Sequence, residues 1–134
     1  MRHDTNIKMG WIKGMYIYTV LGAGGFGVMM IFAPKLVESL FGIPALDPMI
    51  YGVAASIWLA FGILSLLGLR SPIKFLPILL IQCIYKSIWV IGILLPLTFK
   101  GELPNYAPLM IIVMVSYIIG DLIAIPFSVV LKKE

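Results

Sequence analysis

Four apolar runs, each long enough to cross a bilayer, constrain this chain more than any other feature of its sequence. They cover residues 15–33, 48–69, 73–97 and 108–131. A transmembrane helix needs about 20 mostly apolar residues, because unpaired backbone groups are too costly in hydrocarbon. Charged residues make up 12% of the chain, whereas soluble domains carry roughly 25%. The sequence therefore predicts an all-α integral membrane four-helix bundle that forms one domain over residues 1–134.

Prolines mark the ends of the predicted helices. Residues 34–41 begin with a proline and place apolar side chains on one face, which predicts a short helix that lies in the interface or caps the bundle. The pair Ser71-Pro72 is typical of an N-cap and a first helical residue, so it is expected to open the third span. We expect Pro96 to close that span and Pro126 to kink the fourth.

Positive charge is divided unevenly between the two sides of the predicted bundle. One side carries Lys35 and Lys100, and Lys86 lies within a span. The other seven cations fall on the opposite side: Arg2, Lys8, Lys13, Arg70, Lys74, Lys132 and Lys133. Because lysine and arginine are retained on the cytoplasmic side, both termini are expected in the cytoplasm, with the protein in the plasma (inner) membrane.

Lys86 and Asp121 are predicted to lie at one depth inside the membrane. Lys86 is 12 residues beyond Lys74, and Asp121 is 11 residues before Lys132. At 1.5 Å per helical residue, both lie about 17–18 Å from the same boundary. Helices three and four are sequential and antiparallel, so the two charges are expected to meet as a pair.

Three further side chains are expected near this pair. Gln82 and Trp89 are four and three residues from Lys86 and therefore share its helix face. Tyr117 lies one turn from Asp121. Intramembrane ionisable groups typically mark ligand or proton sites, but a buried pair can also fix helix register without any other role. Both interpretations remain open at this point.

Small residues are expected at the helix interfaces. Residues 22–27, GAGGFG, match the dinucleotide pattern G-x-G-x-x-G, but a nucleotide loop needs a preceding strand and a βαβ unit, which this apolar span cannot supply. In a membrane helix such glycines let a neighbouring backbone approach closely. An unwound segment that lines a cavity is the alternative. The predicted packing residues are Gly22, Gly24 and Gly27 in the first span and Gly52, Ser56 and Ala60 in the second.

Several functional classes are disfavoured by composition. Cys83 and His3 are the sole cysteine and histidine, so neither a disulfide nor a transition-metal site is expected, and no cofactor is predicted. The basic residues lie between apolar runs and form no basic helix, which argues against nucleic acid. A membrane enzyme is the third choice, because no nucleophile–base pair accompanies the lysine and the aspartate.

The first half of the chain resembles the DoxX-like membrane proteins. The resemblance rests on the segment FAPKLVESLFGIP, residues 32–44, after the first span, and on a glycine-studded second helix that ends in Gly68-Leu69-Arg70. DoxX is a small subunit associated with a thiosulfate:quinone oxidoreductase. The resemblance implies a non-catalytic four-helix protein that works within a larger membrane assembly.

The expected function is that of a small DoxX-like membrane protein, an oligomer or an accessory subunit of a membrane complex. Its partners would be the lipid bilayer, further copies of itself or other membrane subunits. The polar centre is expected to bind a hydrophobic or anionic small molecule. The alternative is a small proton-coupled carrier that uses Lys86 and Asp121.

Overall fold

The computed structural model describes residues 7–134, so Arg2 and His3 lie outside the described residues. The described part is all-α, as predicted, and four of its helices are long and apolar enough to span a membrane. We number the helices α1 (Met9–Phe32), α2 (Pro34–Phe41), α3 (Pro48–Arg70), α4 (Leu76–Lys100), α5 (Ala107–Ala124) and α6 (Phe127–Val130). The membrane-length helices are α1, α3, α4 and α5.

Helix α1 is the centre of the bundle. It packs along α3 and also against α5, while α4 packs mainly on α5 and has few contacts with α3. We call the two ends of the bundle the Arg70 side and the Lys100 side, after the residues that end α3 and α4. The few contacts between α3 and α4 include the stacked rings of Phe61 and Tyr85, with centroids 5.6 Å apart, so this flank of the bundle is loosely closed.

Two clusters of buried side chains hold the helices together. The larger cluster joins α1, α4 and α5 towards the Arg70 side through Ile12, Tyr16, Leu76 and Leu79. The smaller one joins α1, α2 and α3 towards the Lys100 side and centres on Val37. Because Val37 is fully buried, α2 packs against the bundle with this face.

Glycines bring α1 and α3 into backbone contact. A Cβ at Gly24 would lie 3.2 Å from the Cα of Gly62, and one at Gly27 would lie 2.7 Å from the carbonyl oxygen of Ala55. Small residues at a membrane helix interface permit this approach and the van der Waals contact that stabilises it.

The second predicted packing set faces outward in the single chain. Ser56 and Ala60 are exposed, and no atom lies within 4 Å of a Cβ placed at Gly52. One residue of an α-helix turns the direction of a side chain by about 100°. Ala55 and Gly62, rather than the predicted stripe, therefore face α1. Within one chain the stripe faces away from α1, and its role in helix packing stays a prediction.

Two π-helical turns interrupt the long helices, at Val20–Gly24 in α1 and at Val90–Leu94 in α4. A π turn inserts one residue into the helix and locally shifts the hydrogen-bond register, and such turns are frequent at functional sites. The glycine-rich stretch of α1 thus stays helical and is not unwound, although it also lines a cavity described below.

Proline positions explain three differences from the expected helix ends. Helix α4 begins at Leu76, not at Pro72, because Pro77 is tolerated in the first turn but not five residues into a helix. Helix α4 continues past Pro96 because the π turn Val90–Leu94 ends just before it, which places Pro96 in the first turn of the segment Leu95–Lys100. Gly101 then ends the helix with a φ of 70°. The fourth span breaks before Pro126 and does not merely kink, because the residue before a proline disfavours the α conformation.

The outer surface of the bundle is apolar on every side. Large side chains on all four long helices are exposed in the isolated chain, among them Leu21, Ile57, Ile91 and Ile112. A soluble protein rarely exposes so much contiguous apolar surface. With the length of the four helices, this surface identifies a multi-pass integral membrane protein.

Candidate functional site

Lys86 is buried at the middle of α4, with 2% of its surface exposed. Its Nζ donates a hydrogen bond to Oε1 of Gln82, one turn away, at 3.2 Å. The same Nζ lies 3.7 Å from the ring centroid of Tyr117 and 4.9 Å from that of Tyr85. The electron-rich face of a tyrosine ring attracts a cation most when both are desolvated. Lys86 is therefore held by one hydrogen bond and two rings.

Gln82 connects this lysine to α1. Its Nε2 donates to Oγ1 of Thr19 at 3.0 Å, and the Thr19 hydroxyl donates to the carbonyl oxygen of Met15 at 2.7 Å. All three polar side chains are buried. Because each has a partner, the network places Oε1 of Gln82 where it can accept from Lys86, and α1 and α4 are joined at mid-membrane.

Tyr117 is positioned by the π turn of α1. Its hydroxyl donates to the carbonyl oxygen of Tyr18 at 2.9 Å, and the two tyrosine rings are stacked with centroids 4.0 Å apart. A Cβ at Gly22 would collide with the Tyr117 hydroxyl. The absence of a side chain at Gly22 thus allows the ring to lie between α1 and Lys86.

An apolar cavity of about 260 Å³ extends from this polar centre towards the Lys100 side. Lys86 and Tyr117 line its deep end, and Phe41, Ile43 and Tyr106 line the opposite end. Of the described residues that line it, Lys86 alone carries a formal charge. Seven of the fifteen lining residues are aromatic: Tyr18, Phe26, Phe41, Trp58, Tyr85, Tyr106 and Tyr117. An apolar cleft with a few convergent polar groups is the usual form of a small-molecule site.

Asp121 lies one turn beyond Tyr117, towards the Arg70 side. Its side chain is fully buried and has no hydrogen-bond partner in the described part of the chain. Both of its carboxylate oxygens are unsatisfied. Asp121 and Lys86 are close enough to interact electrostatically, but the ammonium donates to Gln82. The two charges that were expected to meet as a pair therefore lie within electrostatic range of each other, but they share no hydrogen bond in the described part of the chain. Equal depth along two helices does not fix the directions in which the two side chains point.

The structure brings four of the five predicted site residues together. Lys86 contacts both Gln82 and Tyr117, and Asp121 lies within electrostatic range of Lys86. Trp89 is half-buried and is not among the residues that line the cavity. Three residues of an α-helix turn a side chain by 300°, which leaves Trp89 about 60° away from the direction of Lys86.

Sequence reasoning missed several components of the site, of which Thr19 and Trp58 are the most instructive. Thr19 anchors the Gln82 network, and it is the one threonine or serine between residues 15 and 33, which could have indicated a buried role. Trp58 of α3 lines the cavity and contacts Phe26 with ring centroids 5.6 Å apart. No spacing along α3 distinguishes it from a tryptophan that faces lipid.

The chemistry of the site follows from its one charged group and its apolar walls. Among residues 7–134, no group of three or more histidine, cysteine, aspartate or glutamate side chains could hold a metal ion. The site instead presents a fixed ammonium group to an apolar, aromatic-lined space, which can attract an anion or donate a hydrogen bond. Comparison of the chain with protein-family models, with curated proteins and with solved structures finds no match.

Proposed function

We propose that this membrane protein binds a small lipophilic anion in the cavity that extends from Lys86 towards the Lys100 side. The observation that supports the proposal most strongly is the position of Lys86, an ammonium group at the deep end of a space that is otherwise apolar. A ligand that fits must offer an apolar, preferably aromatic, body to the walls and one negative group to the lysine.

The energetics of the buried charge favour this class of ligand. A lysine at the centre of a membrane costs a few kcal/mol on insertion scales. One hydrogen bond to Gln82 and two ring contacts compensate part of this cost. Two of the three N–H groups of the ammonium have no hydrogen-bond acceptor among the described residues. An anion would supply both the acceptor and the opposite charge, in surroundings where electrostatic attraction is strong.

The structure also supports access from the bilayer. Helix α4 contributes Tyr85 and Lys86 to the cavity but no residue beyond them. Its segments Val90–Leu94 and Leu95–Lys100 contain no buried residue. Near the Lys100 side, α4 therefore forms no wall of the cavity. In the proposal, a molecule dissolved in the membrane enters along this flank.

Membership of a DoxX-like assembly remains part of the proposal. The exposed stripe formed by Gly52, Ser56 and Ala60 would let a helix of a second copy or of another subunit approach α3 closely. The chain would then serve as an oligomeric or accessory component of the inner membrane that presents the anion site to its partner.

A second candidate function is proton-coupled transport of the same anion. The unsatisfied carboxylate of Asp121, buried close to Lys86, favours it. Proton relays in transporters use intramembrane acidic groups of this kind. Net movement of the anion across a sealed vesicle membrane would distinguish a carrier from a binding subunit.

Both termini are proposed to lie in the cytoplasm. Single cysteines that replace Lys35 or Lys100, in a Cys83→Ser background, are expected to react with an impermeant thiol reagent added outside intact cells. Cysteines that replace Lys8 or Arg70 are not expected to react, because the positive-inside rule places these residues in the cytoplasm. Labelling at Arg70 without labelling at Lys100 would reverse the proposed orientation.

Titration with 2-naphthalenesulfonate tests the anion site. The purified full chain is reconstituted in nanodiscs of zwitterionic lipid, and binding is measured by calorimetry. A hydrogen bond to a charged group contributes about 1.5–3 kcal/mol, so Lys86→Met is expected to weaken binding at least tenfold. Lys74→Met, an exposed cation outside the cavity, is the matched control and should leave the Kd unchanged. Equal binding by both variants would refute the proposal.

A further inference from the structure

We infer that each anion bound at Lys86 brings one proton into the protein, and that the site holds this proton at Asp121. The inference rests on the proposed anion site and specifies how that site is regulated. It is based on the environment of Asp121, whose side chain is fully buried and whose two oxygens have no hydrogen-bond partner in the described part of the chain.

The charge balance of the site predicts the uptake of one proton when the anion binds. Without a ligand, Lys86 and Asp121 are either both charged or both neutral, because a single unbalanced charge is disfavoured in a membrane interior. The site then has no net charge in either state. An anion bound to a charged Lys86 would leave an ionised Asp121 uncompensated. Uptake of one proton restores neutrality from either starting state.

The same balance identifies the group that carries the proton. In the bound state, whichever the starting state, Lys86 must be charged to attract the anion, so the group that is neutral and holds a proton is Asp121. The carboxylate has no hydrogen-bond donor to stabilise its ionised form, and a buried charge without donors is costly. A protonated carboxyl group removes that cost while the anion occupies the cavity.

Among residues 7–134, no other group near Asp121 replaces it in this balance. The titratable groups of this part of the chain that interact electrostatically with Asp121 are Lys86, Cys83 and Tyr85 of α4 and Tyr117 of α5. The tyrosines of α1 closest to this region are engaged elsewhere: Tyr16 donates to the carbonyl oxygen of Pro72, and Tyr18 stacks on Tyr117. Cysteine and tyrosine are neutral in their ordinary state near pH 7, so they cannot take up the extra proton.

Calorimetry in buffers of different ionisation enthalpy measures the proton directly. The probe is 2-naphthalenesulfonate, which stays ionised, so that any proton taken up belongs to the protein. We expect about one proton per bound sulfonate between pH 6 and 8, and a Kd that rises about tenfold per pH unit. The neutral 2-naphthalenesulfonamide is the matched ligand and should bind without proton uptake. Sulfonate binding without proton uptake would overturn the inference.

Variants assign the proton to its residue. Because arginine stays charged, a Lys86→Arg background isolates the carboxyl group. Lys86→Arg should take up about one proton, and Lys86→Arg/Asp121→Asn none. A value near one in the double variant would overturn the assignment to Asp121. If the arginine variants do not fold, Asp121→Asn is compared with the wild type. A Kd for the sulfonate that is the same for both proteins at every pH would also overturn the assignment to Asp121.

The outcomes separate this inference from the proposed function. If the wild type shows no saturable sulfonate binding, or if Lys86→Met binds as well as the wild type, the anion site itself is refuted. If binding requires Lys86 but is not linked to protons, the anion site stands and the coupling to Asp121 is wrong.

Discussion

Lys86→Met and Asp121→Leu are each expected to lower the free energy of unfolding by roughly 3–5 kcal/mol, the cost of removing one partner from a buried charge pair. The double variant should recover much of this loss. Lys86 and Asp121 share no hydrogen bond, but they lie within electrostatic range in a medium that screens charge poorly. Substitution of either residue leaves the other charge uncompensated, whereas substitution of both removes both burial costs.

A double-mutant cycle in detergent measures this coupling. Unfolding of the wild type, the two single variants and the double variant is followed by loss of helical circular dichroism. Lys74→Met combined with Asp121→Leu is the control, because Lys74 is exposed and its effect should add to that of Asp121 within about 0.5 kcal/mol. If the Lys86 and Asp121 losses are also additive, the two charges do not form one electrostatic unit.

Gly27→Ala is expected to destabilise the bundle by about 1–3 kcal/mol, a large effect for one methyl group. The added Cβ would lie 2.7 Å from the carbonyl oxygen of Ala55 and from the amide nitrogen of Leu59. Both are backbone atoms, so no side-chain rotation relieves the overlap, and α1 must move away from α3.

Gly25→Ala is the matched control on the same helix. No atom lies within 4 Å of a Cβ at Gly25, so the alanine is expected to be neutral or to stabilise the helix by up to about 1 kcal/mol. Thermal unfolding in detergent compares the two variants. Equal stability of Gly27→Ala and Gly25→Ala would contradict the close contact between α1 and α3.

The bilayer explains why much of the architecture could be predicted. Its thickness sets the length of each apolar run, and its low polarity requires helices, so four spans follow from hydropathy. Helix rise then places Lys86 and Asp121 at one depth, and the four-residue spacing places Gln82 beside Lys86. These relations depend only on distances along the chain, so they can be derived directly from the sequence.

The features that were missed depend on rotation about the helix axes. The outward direction of Ser56, the displacement of Trp89 from the site and the separate hydrogen-bond partner of Lys86 all depend on which face of each helix meets its neighbour. The Gly24–Gly62 contact determines that face for α1 and α3. The π turn at Val20–Gly24 changes the face that α1 presents beyond this turn. The run of glycines in the sequence indicates flexibility, but it does not indicate how the helix is rotated about its axis.

The position of a bound anion in a crystal structure shows whether the cavity beside Lys86 is the anion site. Crystals of the full chain, grown in a lipidic phase with 6-bromo-2-naphthalenesulfonate, allow the bromine to be located by its anomalous scattering. The proposed anion site predicts the sulfonate next to the Nζ of Lys86 and the bromine further along the cavity, towards Phe41 and Tyr106. An anion found at the exposed lysines of the Arg70 side, with the cavity free of bromine, would contradict it.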